Sequence, residues 1–257
     1  MPIAMLDRER RRLGVALRTA LTGVGFLWVL HALRLLLGSR AGTWGIVPRS
    51  WEGLHGILTA PLAHGDWGHL ANNSVPLLAT GALLVYFFPR IAGRATLALY
   101  VLTGVAVWLL ARGPGWGADV AISHVGASGV AYALVSFLFW LGVFKRSMRS
   151  VVVALVILFY FSGMIAGVLP DQLHVSWESH LIGGLVGIGV AWRFRGAVVR
   201  DAADEPPPEP AYVTAPYFPP DVFDHTLAER EQMRREALAA EHARRLEDAA
   251  RRHLGDR

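Results

Sequence analysis

The chain contains no cysteine. This absence excludes a disulfide scaffold, a thiol nucleophile and a cysteine-based metal site. Acidic residues are missing from three long stretches, at 67–118, 120–170 and 179–200. A protease site built on two carboxylates therefore has no candidate pair in these stretches. A zinc protease would need His-Glu-x-x-His, and the pair His64-x-x-x-x-His69 has neither the glutamate nor the spacing.

Apolar residues, by contrast, are abundant. They make up 53% of the 257 residues, the mean hydropathy is +0.38, and they occur in blocks. Stretches of about 18 or more residues with few charges indicate membrane-spanning helices. Six spans are predicted, at about 19–38, 69–88, 91–111, 126–143, 150–169 and 178–194. The predicted fold class is an all-α membrane protein with a bundle of six transmembrane helices.

Basic residues are unequally distributed between the two sides of this bundle. With six spans both termini share one side, and 13 basic residues flank that side against four on the other. The positive-inside rule then predicts cytoplasmic termini, with the loops before the second, fourth and sixth spans facing outward. No cleavable signal peptide is predicted, so we expect a multi-pass protein of the plasma or inner membrane. The net charge of +5 follows from this distribution and does not indicate nucleic-acid binding.

Composition divides the chain into four parts. Residues 1–18 form a basic cytoplasmic N-terminus, and residues 19–195 contain the six helices. A proline-rich linker at 196–221 precedes a charged, helical cytoplasmic tail at 222–257, where acidic and basic residues are spaced at i and i+4. The first outer loop, 39–68, is unusually long and rich in apolar residues. We expect it to be compact and partly embedded in the membrane interface.

A serine among small residues opens the fourth span, in the sequence Gly126-Ala127-Ser128-Gly129. A hydroxyl at a helix N-terminus lies beside free backbone N–H groups, which can stabilise a developing negative charge. Gly126 and Gly129 permit a tight turn and the close approach of another helix. Taken alone, the motif fits a helix-packing surface better than a catalytic site, so its interpretation depends on the other spans.

Polar residues also open the second span. His69 and Asn73 are spaced i and i+4 and share one helical face, and His64 lies five residues before His69. Polar groups at the end of an apolar helix are costly unless they are hydrogen-bonded or face water, so they are functional candidates. Helix–helix hydrogen bonding explains His69 and Asn73 equally well.

His180 opens the sixth span and shares a stripe with Gly183 and Gly187, at i, i+3 and i+7. The two glycines form a GxxxG pair, which allows close helix packing. A serine nucleophile needs a base and hydrogen-bond donors for an oxyanion. Since His69, Asn73, Ser128 and His180 all lie near the outer ends of their spans, we expect them to lie in one layer. Apart from Glu178 at the start of the sixth span, the six spans contain no acidic residue. We therefore expect no acidic triad member, and the base must be oriented otherwise. Tyr132, four residues after Ser128, could stack against His180.

Three other polar residues near the outer side are interpreted as structural. Arg34 lies close to the outer end of the first span and is expected to extend toward the interface, whereas His31 is expected to pack there. His124, in the loop at 112–125, is expected to be solvated.

The chain resembles the rhomboid family of intramembrane serine proteases over about residues 14–195. The resemblance rests on three motifs: His64-x4-His69-x3-Asn73, Gly126-Ala127-Ser128-Gly129 and His180-x2-Gly183-x3-Gly187. One departure is Ser179, where the family more often has alanine or glycine. The tail at 201–257 lies outside the resemblance.

The resemblance implies a serine endopeptidase acting on peptide bonds in or near transmembrane segments. It implies a catalytic dyad of Ser128 as nucleophile and His180 as general base. It assigns the oxyanion hole to His69, Asn73 and the Ser128 backbone N–H. The supporting residues are Tyr132, His64, Gly126, Gly129, Gly183 and Gly187. The site faces the outer side. The expected partners are transmembrane protein substrates and the lipid bilayer; no metal or other cofactor is expected.

Helical peptide bonds are closed to nucleophilic attack, so the expected substrates are transmembrane segments that unwind easily through Gly, Pro or polar residues. The fifth span and the loop at 170–177 are hypothesised to form a lateral gate and a cap. One alternative is a proteolytically silent rhomboid-like protein that binds transmembrane clients, which would be expected to lack Ser128 or His180. Another is a small channel or transporter, which would be expected to lack the nucleophile turn and to show an inverted repeat.

Overall fold

The structure is a computed structural model that describes residues 3–114, 117–118, 122–145, 148–170, 176–196 and 226–255. Its α-helices are α1 (Ile3–Leu36), α2 (Gly56–Thr59), α3 (Trp67–Phe87), α4 (Pro89–Leu110), α5 (Ser128–Lys145), α6 (Met148–Phe161), α7 (Trp177–Phe194) and α8 (Leu227–Gly255). Short 3-10 segments cover Ala41–Trp44, Ala60–Leu62 and Ser162–Val168. The two-residue strands β1 (Gly113–Pro114) and β2 (Gly117–Ala118) pair in parallel. The chain divides into two compact units, Met1–Val199 and Arg200–Arg257.

The central helix of the first unit is α5. It packs against α7 along much of its length and also contacts α3, α4 and α6. Its side chains Phe137, Leu138 and Leu141 are buried in one cluster with Leu84 of α3 and Leu99 of α4. Because α5 is apolar on almost every face, it is stable only when surrounded by other helices.

Large apolar side chains cover the outside of the surrounding helices, for example Phe26, Val75, Leu97 and Phe159. A soluble protein rarely exposes so continuous an apolar surface, whereas lipid accommodates it. Four helical segments are long and apolar enough to cross a membrane: Leu6–Leu36, Trp67–Phe87, Pro89–Leu110 and Ser128–Lys145. The protein is therefore a multi-pass, mostly helical membrane protein.

The predicted spans at 150–169 and 178–194 fall on the other two helices of the bundle. The first corresponds to α6, of 14 residues, with the 3-10 segment that follows it, and the second corresponds to α7. The count of six membrane spans stays a prediction.

The first helix extends well beyond its predicted apolar span. It begins at Ile3, within the basic stretch 1–18, and continues for 34 residues. Arginine and glutamate favour helices, and Glu9 lies 3.6 Å from Arg12 one turn away. Glu9 also accepts a hydrogen bond of 2.7 Å from the Tyr86 hydroxyl, which fixes the start of α1 against α3.

The connection between α1 and α3 is folded along α4. Gly104 of α4 has no room for a side chain, because a Cβ there would lie 2.7 Å from the Ile57 carbonyl oxygen. The Arg49 guanidinium donates to the Ala111 carbonyl at 2.8 Å and so satisfies a backbone acceptor just beyond the end of α4. These contacts make the long loop part of the bundle.

The ends of α1 and α4 meet the beginnings of α3, α5 and α7 at one end of the bundle, which we call the loop end. Arg34 of α1 donates to the His64 carbonyl at 2.7 Å, just before α3. Ile46 and His124 exchange two backbone hydrogen bonds of 2.9 Å, which join the first loop to the loop before α5. Every motif that opens a helix in the sequence therefore lies at the same end.

The second unit contains α8. Thr226 precedes this helix and forms a reciprocal cap with Glu229: the Glu229 N–H donates to the Thr226 hydroxyl at 3.3 Å, and the Thr226 N–H donates to the Glu229 carboxylate at 2.6 Å. Arg245 pairs with Glu241 at 2.6 Å. Apart from Gly196, the predicted proline-rich linker at 196–221 lies outside the described residues.

Candidate active site

Ser128 is the first residue of α5 and follows a turn at Gly126. Gly126 has a φ of +106°, which residues with a Cβ rarely adopt. Its N–H donates to the Ala60 carbonyl at 2.9 Å, so the turn is attached to the first loop. The amides of a first helical turn have no partner within the helix. The turn therefore presents the partly exposed Ser128 together with backbone N–H donors.

His69 and Asn73 reach this turn from α3. A Cβ on Gly126 would lie 2.6 Å from His69 Nε2 and 3.5 Å from Asn73 Nδ2, so only glycine leaves room for both side chains. The Gly65 N–H donates to His69 Nδ1 at 3.5 Å, which places the ring proton on Nε2. Asn73 Nδ2 is buried and has no hydrogen-bond partner among the described residues. Two N–H donors that have no acceptor within the described ranges thus lie beside the turn that precedes Ser128.

His180 lies in the first turn of α7, and two contacts fix its ring. The ring is stacked on Tyr132, with centroids 4.2 Å apart and planes inclined by 9°. Its Nδ1 lies 2.8 Å from the Gly167 carbonyl oxygen. Since a carbonyl can only accept, Nδ1 carries the proton and Nε2 keeps a free lone pair. The contacts therefore select the tautomer that can act as a base through Nε2.

The 3-10 segment Ser162–Val168 packs directly on this stacked pair. The Tyr132 hydroxyl donates to the Met164 carbonyl at 2.6 Å. A Cβ on Gly167 would lie 2.0 Å from the Tyr132 hydroxyl oxygen and 3.3 Å from His180 Nδ1. Residue types gave no sign of this contact, because the orienting acceptor is a backbone carbonyl. Gly167, one residue before the end of the segment, was the only signal of this contact in the sequence.

Ser128 and His180 lie on adjacent turns of two closely packed helices. A Cβ on Gly183, one turn after His180, would lie 2.1 Å from the Gly129 carbonyl oxygen. Tyr132, one turn after Ser128, contacts the His180 ring. In the described part of the chain the Ser128 hydroxyl makes no hydrogen bond. Catalytic hydrogen bonds are often long until substrate binds, so this arrangement is compatible with later proton transfer.

His64, in the first loop just before α3, supports the turn that precedes Ser128. It is completely buried, and its ring centroid lies 5.2 Å from that of His69. Its Nε2 accepts a hydrogen bond of 3.4 Å from the Ala127 N–H. The residue immediately before Ser128 is thus held by a side chain of the first loop.

The prediction that Arg34 extends toward the membrane interface is wrong. Only 4% of the residue is exposed, and its guanidinium donates to the carbonyls of Ser39 (2.5 Å) and His64 (2.7 Å). The residues at the two ends of the folded first loop supply these acceptors within the protein. His31 packs edge-on against Trp67, with ring centroids 4.5 Å apart.

The prediction that His124 is solvated is also wrong, because only 4% of it is exposed. Its Nδ1 lies 2.5 Å from the Ser176 hydroxyl and 3.3 Å from the Ser179 hydroxyl. Burial lowers the pKa of His124 below its ordinary value, so the ring is neutral at pH 7. Ser179, the departure from the family pattern, therefore belongs to a network that joins the loop before α5 to the start of α7.

A cavity of about 20 Å³ lies beside Ser128, with His124, Thr103 and Ser179 in its lining. This volume accommodates about one water molecule. Within the described ranges, no three His, Asp or Glu side chains are arranged to hold a metal ion.

The fold and the site together define a class of protein. It is a helical membrane protein in which a serine opens a buried helix beside an oriented histidine and two N–H donors. A family model described as Rhomboid domain matches residues 51–197. The chain belongs to the rhomboid family, which confirms the resemblance seen in the sequence motifs.

Mycobacterial proteins are among its relatives. An uncharacterised protein of Mycobacterium tuberculosis is 35% identical over 188 residues, which cover 72% of this chain and 77% of that protein. An uncharacterised protein of Mycobacterium bovis matches to the same extent. One of Mycobacterium leprae is 30% identical over 183 residues, covering 68% of this chain and 69% of that protein.

Proposed function

We propose that the chain is an intramembrane serine endopeptidase that hydrolyses peptide bonds in or near transmembrane segments of other membrane proteins. The observation that carries the proposal is the fixed orientation of His180, whose Nε2 is free, on the helix packed against the one that begins with Ser128. Membership of the rhomboid family, whose members are generally intramembrane serine proteases, supports it.

In the proposed reaction, Ser128 Oγ attacks the scissile carbonyl carbon while His180 Nε2 takes up the hydroxyl proton. The Gly167 carbonyl keeps accepting from Nδ1–H and so stabilises the imidazolium, as a carboxylate does in a triad. The imidazolium then protonates the leaving amine, the C–N bond breaks, and an acyl ester remains on Ser128. A water molecule deprotonated by His180 hydrolyses that ester, which releases a carboxylate and restores the serine hydroxyl.

The negative charge on the substrate oxygen needs donors that are in position before the reaction. His69 Nε2–H and Asn73 Nδ2–H lie beside the Gly126 turn, and the Ser128 N–H opens the helix after it. We assign these three groups to the oxyanion hole. Because the protein holds them in place, little reorganisation is needed when the charge develops.

The site lies at the loop end of the bundle, and this position restricts which segments of a substrate can be cleaved. A helical peptide bond is sterically closed and already hydrogen-bonded, so the scissile segment must be extended when it reaches Ser128. Segments with Gly, Pro or polar residues near one membrane surface unwind at the lowest cost. In this proposal α6 and its 3-10 segment form the lateral gate. The predicted cap at 170–177 falls largely outside the described residues.

We place the protein in the plasma membrane with cytoplasmic termini and the loop end facing outward, as the distribution of basic residues favours. The absence of cysteine makes this simple to test by single-cysteine labelling. An impermeant maleimide added to intact cells should label Arg40→Cys, in the first loop, and leave Arg94→Cys, at the opposite end, unlabelled. The reverse pattern would invert the topology.

The activity is tested by incubating the purified protein in detergent with a model transmembrane substrate. Ser128→Ala and His180→Ala should each lower the cleavage rate on the order of 10³-fold or more. Ser136→Ala removes another hydroxyl from α5, one that donates to the Gly184 carbonyl at 2.7 Å, and should retain most activity. A fluorophosphonate should label wild type and Ser136→Ala but not Ser128→Ala.

The same assay separates the protease from a proteolytically silent, client-binding protein. Cleavage that survives in Ser128→Ala would show that the activity comes from another source. Stable binding of the substrate by wild type without cleavage, and without fluorophosphonate labelling, would favour the silent protein.

A further inference from the structure

The last turn of α1 carries a buried cation that the proposed reaction does not use directly. Arg34 is 4% exposed, and its guanidinium donates to the carbonyl oxygens of Ser39 and His64 at 2.5 and 2.7 Å. Its other close polar neighbour is His31, whose Nδ1 lies 3.5 Å away. Among the described residues no carboxylate forms an ion pair with it.

Burying a charge without a counter-ion is unfavourable, even when carbonyl oxygens accept its hydrogen bonds. An apolar side chain of similar volume at this position would fill the same space without that penalty. Ionisable residues within membrane segments usually have a function for this reason. The two carbonyls that Arg34 binds show where its influence is directed, since one of them belongs to His64.

His64 links Arg34 to the turn that precedes the nucleophile. The Arg34 guanidinium holds the His64 backbone, and the His64 ring accepts the Ala127 N–H through Nε2 at 3.4 Å. Only an unprotonated Nε2 can accept this bond. His64 is 0% exposed, and the pKa of its ring is lowered to about 4, first by burial and then by the neighbouring His69, His31 and Arg34. The acceptor is therefore present at neutral pH.

The Ala127 N–H is the last backbone donor before the helix, and its peptide adjoins the one that carries the Ser128 N–H. With Ala127 held by His64, and Gly126 held by the Ala60 carbonyl at 2.9 Å, the N–H groups of two successive peptide planes before Ser128 are both fixed. The Ser128 N–H, assigned to the oxyanion hole, belongs to the next peptide plane. A rotation at Ala127 would turn that donor away from His69 and Asn73.

We infer that Arg34 is a positioning residue of the active site, which acts through His64 to hold the Ala127 peptide and thereby aims the Ser128 N–H and hydroxyl at the substrate carbonyl. This inference rests on the proposed proteolytic function. It adds a residue of α1, outside all three sequence motifs, to the machinery that sets the rate.

The test compares Arg34→Gln and Arg34→Lys with Arg40→Gln, a matched control that removes an exposed arginine from the adjoining loop. Activity is expressed per active site titrated with fluorophosphonate, so that unfolded molecules do not count. Displacing a reacting group by about 1 Å costs up to about 100-fold in rate, so Arg34→Gln should lower kcat about tenfold to 100-fold. KM should change less than about twofold, since the substrate-binding surface is intact. Arg34→Lys keeps the charge but not the fork of two donors, so its kcat should lie between those of Arg34→Gln and wild type. Arg40→Gln should have the wild-type kcat.

Hydrogen exchange distinguishes a positioning role from a purely structural one, because a general loss of stability would not affect the peptide containing Ala127 alone. The peptide containing Ala127 should lose protection in Arg34→Gln, while the middle of α5 and α7 keeps it. The acceptor is tested by His64→Gln, whose side-chain oxygen can replace Nε2, against His64→Phe, which cannot accept. The glutamine variant should retain at least about tenfold more activity than the phenylalanine variant.

A wild-type kcat per titrated site in Arg34→Gln would overturn the inference, as would equal exchange at the Ala127 peptide. Equal activity of His64→Gln and His64→Phe would remove the hydrogen-bond relay. These outcomes differ from failure of the proposed function, which would appear as cleavage surviving in Ser128→Ala or as no cleavage by wild type.

Discussion

Gly183 of α7 lies so close to Gly129 of α5 that a Cβ on Gly183 would be 2.1 Å from the Gly129 carbonyl oxygen. The same pair of helices is in close contact one turn further, where a Cβ on Gly187 would be 2.5 Å from the Ala133 carbonyl oxygen. Without these glycines the helix axes would have to separate. The distance between the residues that open the two helices, Ser128 and His180, therefore depends on glycine at these positions.

We predict that Gly183→Ala lowers both stability and activity. The added methyl group meets rigid backbone, and overpacking of this kind typically costs about 1–3 kcal/mol. Thermal unfolding in detergent should show a lower Tm, and cleavage per folded molecule should fall at least about tenfold, as expected for displaced catalytic groups.

The matched control is Gly184→Ala, because a Cβ at Gly184 has no neighbour within 4 Å. This variant should keep wild-type activity and be equally or slightly more stable, since alanine favours a helix by up to about 1 kcal/mol. If Gly183→Ala behaved like Gly184→Ala, the close approach of the helices would not matter for catalysis.

The spacing of residues within each helix was sufficient to anticipate this packing. His180, Gly183 and Gly187 recur on one helical face. The stretches of apolar residues locate α3, α4, α5 and α7 within a few residues, whereas α1 begins well before its predicted span. Local periodicity reports which side chains share a face, and small residues report where another backbone comes near. The rhomboid motifs then add the relation between separate helices, which periodicity cannot supply.

A second prediction concerns the contact between Tyr132 and the 3-10 segment. Gly167→Ala would place a Cβ 2.0 Å from the Tyr132 hydroxyl oxygen, so the segment or the tyrosine must move away from His180. The hydrogen bond of 2.8 Å that fixes the His180 tautomer would be lost or lengthened. We expect kcat to fall at least about tenfold with little change in KM.

Tyr132→Phe provides the internal control for this prediction. It keeps the ring stacked on His180 and removes only the hydroxyl that donates to the Met164 carbonyl at 2.6 Å. Alone it should cost little activity, about twofold to fivefold, as for one neutral hydrogen bond. Combined with Gly167→Ala it should restore part of the lost rate, because the clashing atom is absent. Strictly additive losses would show that the two residues act independently.

A third prediction concerns acid stability. Burial and the neighbouring His69 and His31 lower the pKa of His64 from 6.5 to about 4. The unfolded chain takes up a proton at this residue near pH 6.5, but the folded protein does not until about pH 4. The stabilisation is therefore complete above pH 6.5 and is lost as the pH falls toward 4, by up to about 3 kcal/mol.

Tm measured in detergent between pH 7.5 and 4.5 should report this loss for wild type. His64→Gln has no titrating ring and should show a smaller fall over the same range, even if its Tm is lower at neutral pH. An identical fall in both proteins would show that other groups account for the acid sensitivity.

Arg34, His124 and the Gly167 carbonyl mark the limit of what the sequence could predict. Arg34 and His124 look exposed from their local context, because each is a polar residue near a helix end or in a loop. Their burial results from the first loop folding back along α4 and meeting the loop before α5, which depends on contacts between residues 30 or more positions apart. The Gly167 carbonyl is a backbone group, and its role in orienting His180 leaves no trace in residue type.

The last prediction concerns Asn73, whose Nδ2 is buried beside Gly126 and has no acceptor among the described residues. A buried N–H donor without a partner destabilises the resting protein. We expect its acceptor to be the substrate oxygen, which is present only during the reaction. Asn73→Ala should therefore destabilise the protein no more than an ordinary truncation of a small buried side chain does. Its kcat should fall about tenfold or more, as for loss of one oxyanion donor.

Asn72→Ala is the matched control, because Asn72 is the neighbouring residue on α3 and is exposed. It should keep wild-type kcat and KM. Asn73→Asp is the sharper test, since it preserves shape but replaces the donor with a carboxylate that repels the developing oxyanion. At neutral pH it should be at least as impaired as Asn73→Ala, even though its side chain fills the same space. If instead Asn73→Asp matched wild type, the side chain at this position would act by filling space, and the oxyanion would have to be stabilised by His69 and the Ser128 N–H alone.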